Sequence, residues 1–161
     1  MVVVGVAREA ARMQPESVAT VETLKALLDA FNRHDLDSIM EFFSDDPVLE
    51  MPRGPSPWGT RAKGRDEVRS LLATRFTGIP DVHYAQDRHF TCGDRGVSEW
   101  TLTGTSGGKK VEVRGCDLFE FSSGSVSRKD SYWKIIEVAQ QMRSDAERIA
   151  GGVAEPFSDE D

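Results

Sequence analysis

Lys109-Lys110-Val111-Glu112-Val113-Arg114-Gly115-Cys116-Asp117-Leu118-Phe119-Glu120-Phe121-Ser122 alternates between two kinds of side chain with a period of two, the pattern of a strand with one buried face. Val111, Val113, Gly115, Asp117, Phe119 and Phe121 fall on one side, and Glu112, Arg114, Cys116, Leu118 and Glu120 on the other. Ser122-Ser123-Gly124 then supplies turn chemistry, and a second alternating run follows over 125–137. Upstream, 81–91 and 96–105 read the same way, separated by Cys92-Gly93-Asp94 and followed by Ser106-Gly107-Gly108. Consecutive strands joined by tight turns make an antiparallel sheet.

The amino-terminal half has the other period. Val18, Val21, Leu24, Leu27, Leu28 and Phe31 recur every three or four residues and predict a helix over 17–33. Asp35 or Asp37 caps a second, short helix carrying Leu36, Ile39, Met40, Phe42 and Phe43, which Asp45-Asp46-Pro47 stops. A short strand over 48–51, a loop over 52–64 rich in Pro, Gly and Ser, and a third helix from Arg65 with Val68, Leu71, Leu72 and Phe76 on its apolar face complete this half. Helices followed by strands make an α+β domain. A curved sheet wrapped around the helices leaves a closed-ended cavity, a natural small-molecule site. The domain is expected over 16–150 and includes a C-terminal helix from about Val138. Residues 1–15 read as a flexible leader and 151–161 as a disordered acidic tail.

Length and charge narrow the function classes. A chain of 161 residues suits one domain. Eight Phe, three Trp and two Tyr supply a real core. No apolar run approaches a bilayer span, and the amino end, whose apolar stretch precedes Arg8, does not follow the signal-peptide pattern. The net charge of −7 argues against nucleic acid, which needs a clustered basic face. Two cysteines, Cys92 and Cys116, make neither a disulfide framework nor a metal set, so a reduced, cytoplasmic setting is expected. His83 and His89 share parity but stand six apart, His34 lies elsewhere, and no glycine-rich loop has phosphate or dinucleotide spacing. No metal and no cofactor is expected.

Several local strings, in order, resemble a known family. Ala26-Leu27-Leu28-Asp29-Ala30-Phe31-Asn32 leads to His34-Asp35-Leu36-Asp37 and Phe42-Phe43-Ser44-Asp45-Asp46. Gly64-Arg65-Asp66-Glu67-Val68, Ser98-Glu99-Trp100-Thr101-Leu102-Thr103-Gly104-Thr105 and Arg114-Gly115-Cys116-Asp117-Leu118-Phe119-Glu120-Phe121 follow, and Lys129-Asp130-Ser131-Tyr132-Trp133 closes the series. Together they resemble the SnoaL-like, ketosteroid isomerase-like branch of the nuclear transport factor 2-like superfamily over roughly residues 18–137, and the resemblance implies a cone-shaped α+β barrel, with three N-terminal helices packed in a curved, mainly antiparallel sheet that encloses a pocket. The resemblance implies isomerase, cyclase, dehydratase or hydrolase chemistry, or binding alone, since one fold hosts many functions. It also implies a homodimer through the sheet, with Leu118 and Cys116, flanked by Arg114 and Glu120, as contacts.

Three carboxylates are the site candidates. Asp117 is the single acid on the apolar face of its strand; desolvation there raises a carboxyl towards useful proton-transfer values, and the alternative is a hydrated or arginine-paired aspartate. Strand parity puts Asp130 and Tyr132 on one face with Val126 and Arg128. The resemblance makes Asp130 a general acid or base; the alternative is a salt bridge with Arg128 or Lys134. The family's second acid in this motif is replaced here by Lys134. Glu50 sits near the place where epoxide hydrolases of this fold hold a polar group for water, or is a surface glutamate. Their middle-strand Arg and Asp are matched here by Trp100 and Leu102, which argues against epoxide hydrolysis and widens an apolar wall. Phe31, Phe43, Met51, Trp58, Phe76 and Phe119 are further walls or simple core.

The leading expectation is a cofactor-independent enzyme that moves a proton on an apolar, carbonyl-bearing molecule such as a polyketide or steroid-like compound. Asp130 would be the acid or base, a protonated Asp117 the oxyanion donor, and Tyr132 a second donor. The rival readings are a non-catalytic small-molecule-binding module and a dimerisation module.

Overall fold

The computed structural model describes residues 19–134. The expected leader, C-terminal helix and acidic tail lie outside the described residues. Helix α1 (Val21–Asn32) begins where Thr20 caps it, its hydroxyl accepting the Thr23 amide at 3.0 Å. Leu24, Leu27, Leu28 and Phe31 are buried on its inner stripe. Asp35 caps α2 (Leu36–Glu41), accepting from the Ser38 amide at 3.1 Å and the Ser38 hydroxyl at 2.6 Å.

The second helix does not run to Asp45-Asp46-Pro47. It ends at Glu41, and strand β1 (Phe43–Glu50) has already begun. The acid-rich stretch instead bulges out of the ladder, because pairing jumps from Phe43 opposite Val126 to Val48 opposite Arg128. Arg65 holds this turn of chain. Its guanidinium donates to the carbonyls of Phe43 at 2.8 Å, Ser44 at 3.1 Å and Met40 at 2.9 Å. The loop read over 52–64 also contains a short strand, β2 (Arg61–Lys63), antiparallel to β1. Helix α3 (Arg65–Gly78) follows.

Strands β3 (His83–Cys92), β4 (Arg95–Ser106), β5 (Lys109–Ser122) and β6 (Ser125–Trp133) form the expected antiparallel run. The sheet order is β2-β1-β6-β5-β4-β3, and β1 lies parallel to β6. Its edges β2 and β3 do not pair, so the sheet curves round the helices as an unclosed cone. Leu24, Leu27, Ile39, Leu49, Val68 and Leu102 are at most 1% exposed and form the centre of the core. Among the described residues no helix is long and apolar enough to cross a membrane.

One irregularity decides which side chains share a face. In β5–β6, Phe121 pairs with Val126 but Glu120 pairs with Arg128, leaving Ser127 as an extra residue. Its hydroxyl donates to the Glu120 carbonyl at 3.1 Å. Beyond this bulge the parity of β6 is reversed relative to Val126. Lys129, Ser131 and Trp133 stand opposite Phe119, Asp117 and Gly115 on the helix side, while Arg128, Asp130 and Tyr132 lie on the outer face. The expected shared face of Val126, Asp130 and Tyr132 is corrected accordingly.

Candidate functional site

Asp117 is 5% exposed on the helix side of β5, where the alternation put it. It is not alone there. The Lys129 ammonium donates to Oδ1 at 2.6 Å, the Ser131 hydroxyl to Oδ1 at 2.6 Å and the Trp100 indole N–H to Oδ2 at 3.0 Å. Lys129 also reaches the Ser131 oxygen at 2.8 Å and lies 5.7 Å and 5.9 Å from the ring centres of Phe31 and Phe119. Burial pushes Lys129 below the ordinary lysine value, and the charge and hydrogen bond of Asp117 oppose that shift. In all three contacts Asp117 is the acceptor, where the sequence led to the expectation of an oxyanion donor. Lys129 was missed for the same reason that Asp130 was misplaced: only the Ser127 bulge brings it inside.

Asp130, Tyr132 and Glu50 gather on the outer face. Glu50 is fully buried, clamped by the guanidiniums of Arg61 and Arg128, which occupy both of its oxygens. Burial opposes its ionisation, but the two arginines outweigh it and hold the carboxyl below the ordinary glutamate value. Glu50 is thus a structural anchor, neither the expected water-holding group nor a surface glutamate. Asp130 accepts from the Tyr132 hydroxyl at 3.0 Å and from Arg128 at 3.2 Å. Burial pushes Asp130 up, aided by the Glu50 charge and opposed by Tyr132 and Arg128. It edges a small cleft of about 120 Å³ together with Met51, Trp58 and Tyr132. Trp58 is 54% exposed, with Arg61 5.0 Å from its ring centre.

The larger open space lies elsewhere. A cavity of about 740 Å³ opens at one end of the cone, between the β4–β5 turn, α3, the loop after β1 and the last residue of β6. This volume suits a drug-sized ligand. Met51, Leu71, Ile79, Val111 and Trp133 give it apolar walls. Arg53, Arg75, Lys109 and Lys110 also line it, and no described Asp or Glu does. Asp117 is not in its wall, so the expected pocket around that residue is displaced to the mouth. Trp133 stands at the boundary, its ring 6.1 Å from that of Trp100 in an edge-to-face contact, and Trp100 in turn bonds Asp117.

Trp100, Leu102, Phe31 and Phe119 are core residues, each at most 5% exposed. Tyr84, which the sequence reading did not single out, joins Phe31 and Trp100 through edge contacts at 5.9 Å and 5.2 Å. Burial pushes its hydroxyl well above the ordinary tyrosine range, with Arg75 opposing. His89 bridges the Ser98 hydroxyl at 2.9 Å and Asp87 at 2.7 Å. Ser98 is only 2% exposed, and the array ties β3 to β4. Among the described residues no group of three or more His, Cys, Asp or Glu side chains is placed to hold a metal ion.

A family model described as SnoaL-like domain matches residues 24–129. No curated protein sequence matches the chain. Among solved structures, a protein from Xanthomonas campestris pv. campestris, provisionally assigned as a polyketide cyclase, has a TM-score of 0.64 at 21% identity, covering 74% of this chain and 93% of its own. A second provisional polyketide cyclase, from Pseudomonas putida KT2440, has a TM-score of 0.65 at 18% identity over 74% and 95%. An NTF2-like protein of unknown function from Mesorhizobium loti has a TM-score of 0.61 at 25% identity over 71% and 89%. At these identities the likeness establishes the fold, and activity has to be argued from side chains.

Proposed function

This chain belongs to the SnoaL-like domain family, and we propose that it takes an apolar, carbonyl-bearing small molecule into the mouth cavity and moves a proton on it, as an isomerase or cyclase does. The acid–base unit is Lys129 with Asp117 and Ser131, which lie behind the cavity wall, so the ligand reaches them when the Trp133 ring at the boundary turns aside. The observation that carries this reading is a buried ammonium–carboxylate pair inside an apolar cone. Such a pair is costly to bury and contributes little stability over an apolar replacement, so its presence is a functional signal. A lysine held below its ordinary value gives up its proton more readily and serves as a base. The ammonium first gives its proton to solvent; the neutral amine then takes the proton from the carbon next to the carbonyl of a β,γ-unsaturated ketone, and Asp117 and Ser131 stabilise the ammonium that results. Return of that proton to the γ carbon of the dienolate completes an isomerisation.

A second reading has its own observation. The Trp133 and Trp100 rings stand between the cavity and Asp117, an arrangement that suits a module that binds without turnover. Solvent-deuterium exchange into a panel of enones and polyketide-like ketones separates the two. Proton-transfer catalysis requires exchange by the wild type that is lost in Asp117→Asn and in the double variant Asp117→Asn/Lys129→Met, which removes both charges together and leaves no buried carboxylate without its cation, but retained in Asp130→Asn. Binding without exchange supports the module, and exchange lost only in Asp130→Asn would overturn the Lys129 assignment.

We further propose that two copies associate through the outer sheet face around Leu118 and Tyr132, which are 41% and 53% exposed.

A further inference from the structure

Among the described residues the charged side chains in the wall of the mouth cavity are all cationic. The chain carries a net charge of −7, yet the described lining holds two arginines, two lysines and no carboxylate. A cluster of like charges in a concave site focuses its potential outward and raises the local concentration of anions. Lys109 and Lys110 are exposed at the β4–β5 turn and act in this general way.

Arg75 is different in kind. It sits in the last turn of α3, half-buried, with its guanidinium 4.4 Å from the ring centre of Trp133. This cation–π contact holds the guanidinium at the cavity wall, one side of it engaged with the Tyr84 hydroxyl, and a guanidinium's remaining N–H donors take a carboxylate with charge-assisted hydrogen bonds. Five other arginines of the sheet and helices have acidic partners: Arg61 and Arg128 hold Glu50, Arg69 holds Asp37, Arg88 holds Glu99 and Arg95 holds Glu120, while Arg65 is taken up by three backbone carbonyls. Among the described residues no carboxylate pairs with Arg75. Its other neighbours are the Tyr84 hydroxyl and the charge of Lys129, and the latter repels it. A half-buried cation that faces a second cation and no anion is poised for an anion from outside.

We infer that the ligand of the mouth cavity is an amphipathic organic anion whose head group pairs with Arg75 while its body lies against Met51, Leu71, Ile79, Val111 and Trp133. This inference rests on the reading of the cavity as the ligand site and adds the charge class of the ligand. Carboxylate and sulfonate share the chemistry required.

Two dyes with the same fused-ring body test it on the full chain. 1-Anilinonaphthalene-8-sulfonate carries an anionic group that N-phenyl-1-naphthylamine lacks. The sulfonate should bind about tenfold tighter than the neutral dye, as expected for one charge-assisted contact in a partly solvated site, and added salt should narrow that gap. Arg75→Gln should remove the preference while leaving the neutral dye unchanged, and Arg75→Lys should restore part of it. Near-ultraviolet circular dichroism shows whether each variant keeps its packed aromatic core, since loosened proteins also bind the sulfonate. If Arg75→Gln fails to fold, Arg75→Lys and the wild-type salt titration still decide. Equal binding of the two dyes by the wild type would overturn the anion inference and leave the ligand site standing. A preference unchanged in a folded Arg75→Gln, or in Arg75→Lys at every salt concentration, would move the head group elsewhere and overturn it. Binding of neither dye would overturn both the inference and the reading on which it rests.

Discussion

Glu50 shows how one side chain can join three strands. It lies on β1, Arg61 on β2 and Arg128 on β6, and the carboxylate binds both guanidiniums. A carboxyl held below its ordinary value contributes stability that is fully present above that value, 4.5 for glutamate, and is lost as pH falls through the lower folded value. Glu50→Gln should therefore cost on the order of 2 kcal/mol at neutral pH, less than a fully buried pair because both arginines are about a third exposed to solvent screening. Denaturant midpoints across pH should show the gap between wild type and variant steady at neutral pH and closing below about pH 4.5. Parallel curves down to low pH would show that the carboxylate does not carry the clamp. The residue was legible in sequence as a strand glutamate, but its partners were not. Arg61 was read as loop, and Arg128 is 78 positions away on a strand that only the folded sheet brings alongside.

At the scale of the element, β5 was readable and β6 was not, and the difference is one residue. Regular alternation survives along β5 because every residue from Lys109 to Glu120 keeps its place opposite β4. In β6 the extra residue Ser127 breaks the count, and no glycine or proline marks the spot. Everything after it was therefore read on the wrong face, including Asp130 and Tyr132. The same reasoning gives a prediction. Deleting Ser127 restores a regular ladder with Lys129 and Ser131 still inside, so that variant should fold, losing on the order of 1 kcal/mol with the hydroxyl bond and the local twist. Inserting one alanine between Arg128 and Lys129 turns Lys129 and Ser131 outward and Asp130 inward, leaving Asp117 buried without its cation. That variant should not give a cooperative thermal transition. An insertion as stable as the deletion would show that the bulge does not set the register.

The molecule as a whole presents a sheet with one covered side. Among the described residues all three helices pack on the inner face, which is why an α+β domain could be read from the order of periods and its cone shape from the family resemblance, while the contents of the cone could not. The outer face is left with an apolar centre and a charged margin. Leu118 and Tyr132 are exposed there, Cys116 lies half-buried between them, and Arg95, Glu120 and Arg128 form an ion-paired border. An exposed apolar centre within a polar rim is the anatomy of a contact surface, and a curved patch of this kind pairs most simply with its own copy about a two-fold axis. A stable interface needs about 800 Å² from each partner, and the exposed Leu118 and Tyr132 are placed to lie at its centre. Wild-type protein should then sediment at twice the chain mass down to micromolar concentration. Leu118→Arg places two like charges in the same apolar centre, since the substitution occurs on both copies, and should sediment as a monomer whose circular dichroism is unchanged. A wild-type monomer at micromolar concentration, or a Leu118→Arg dimer as tight as wild type, would remove this face from the assembly and leave the exposed Leu118 and Tyr132 for a different partner.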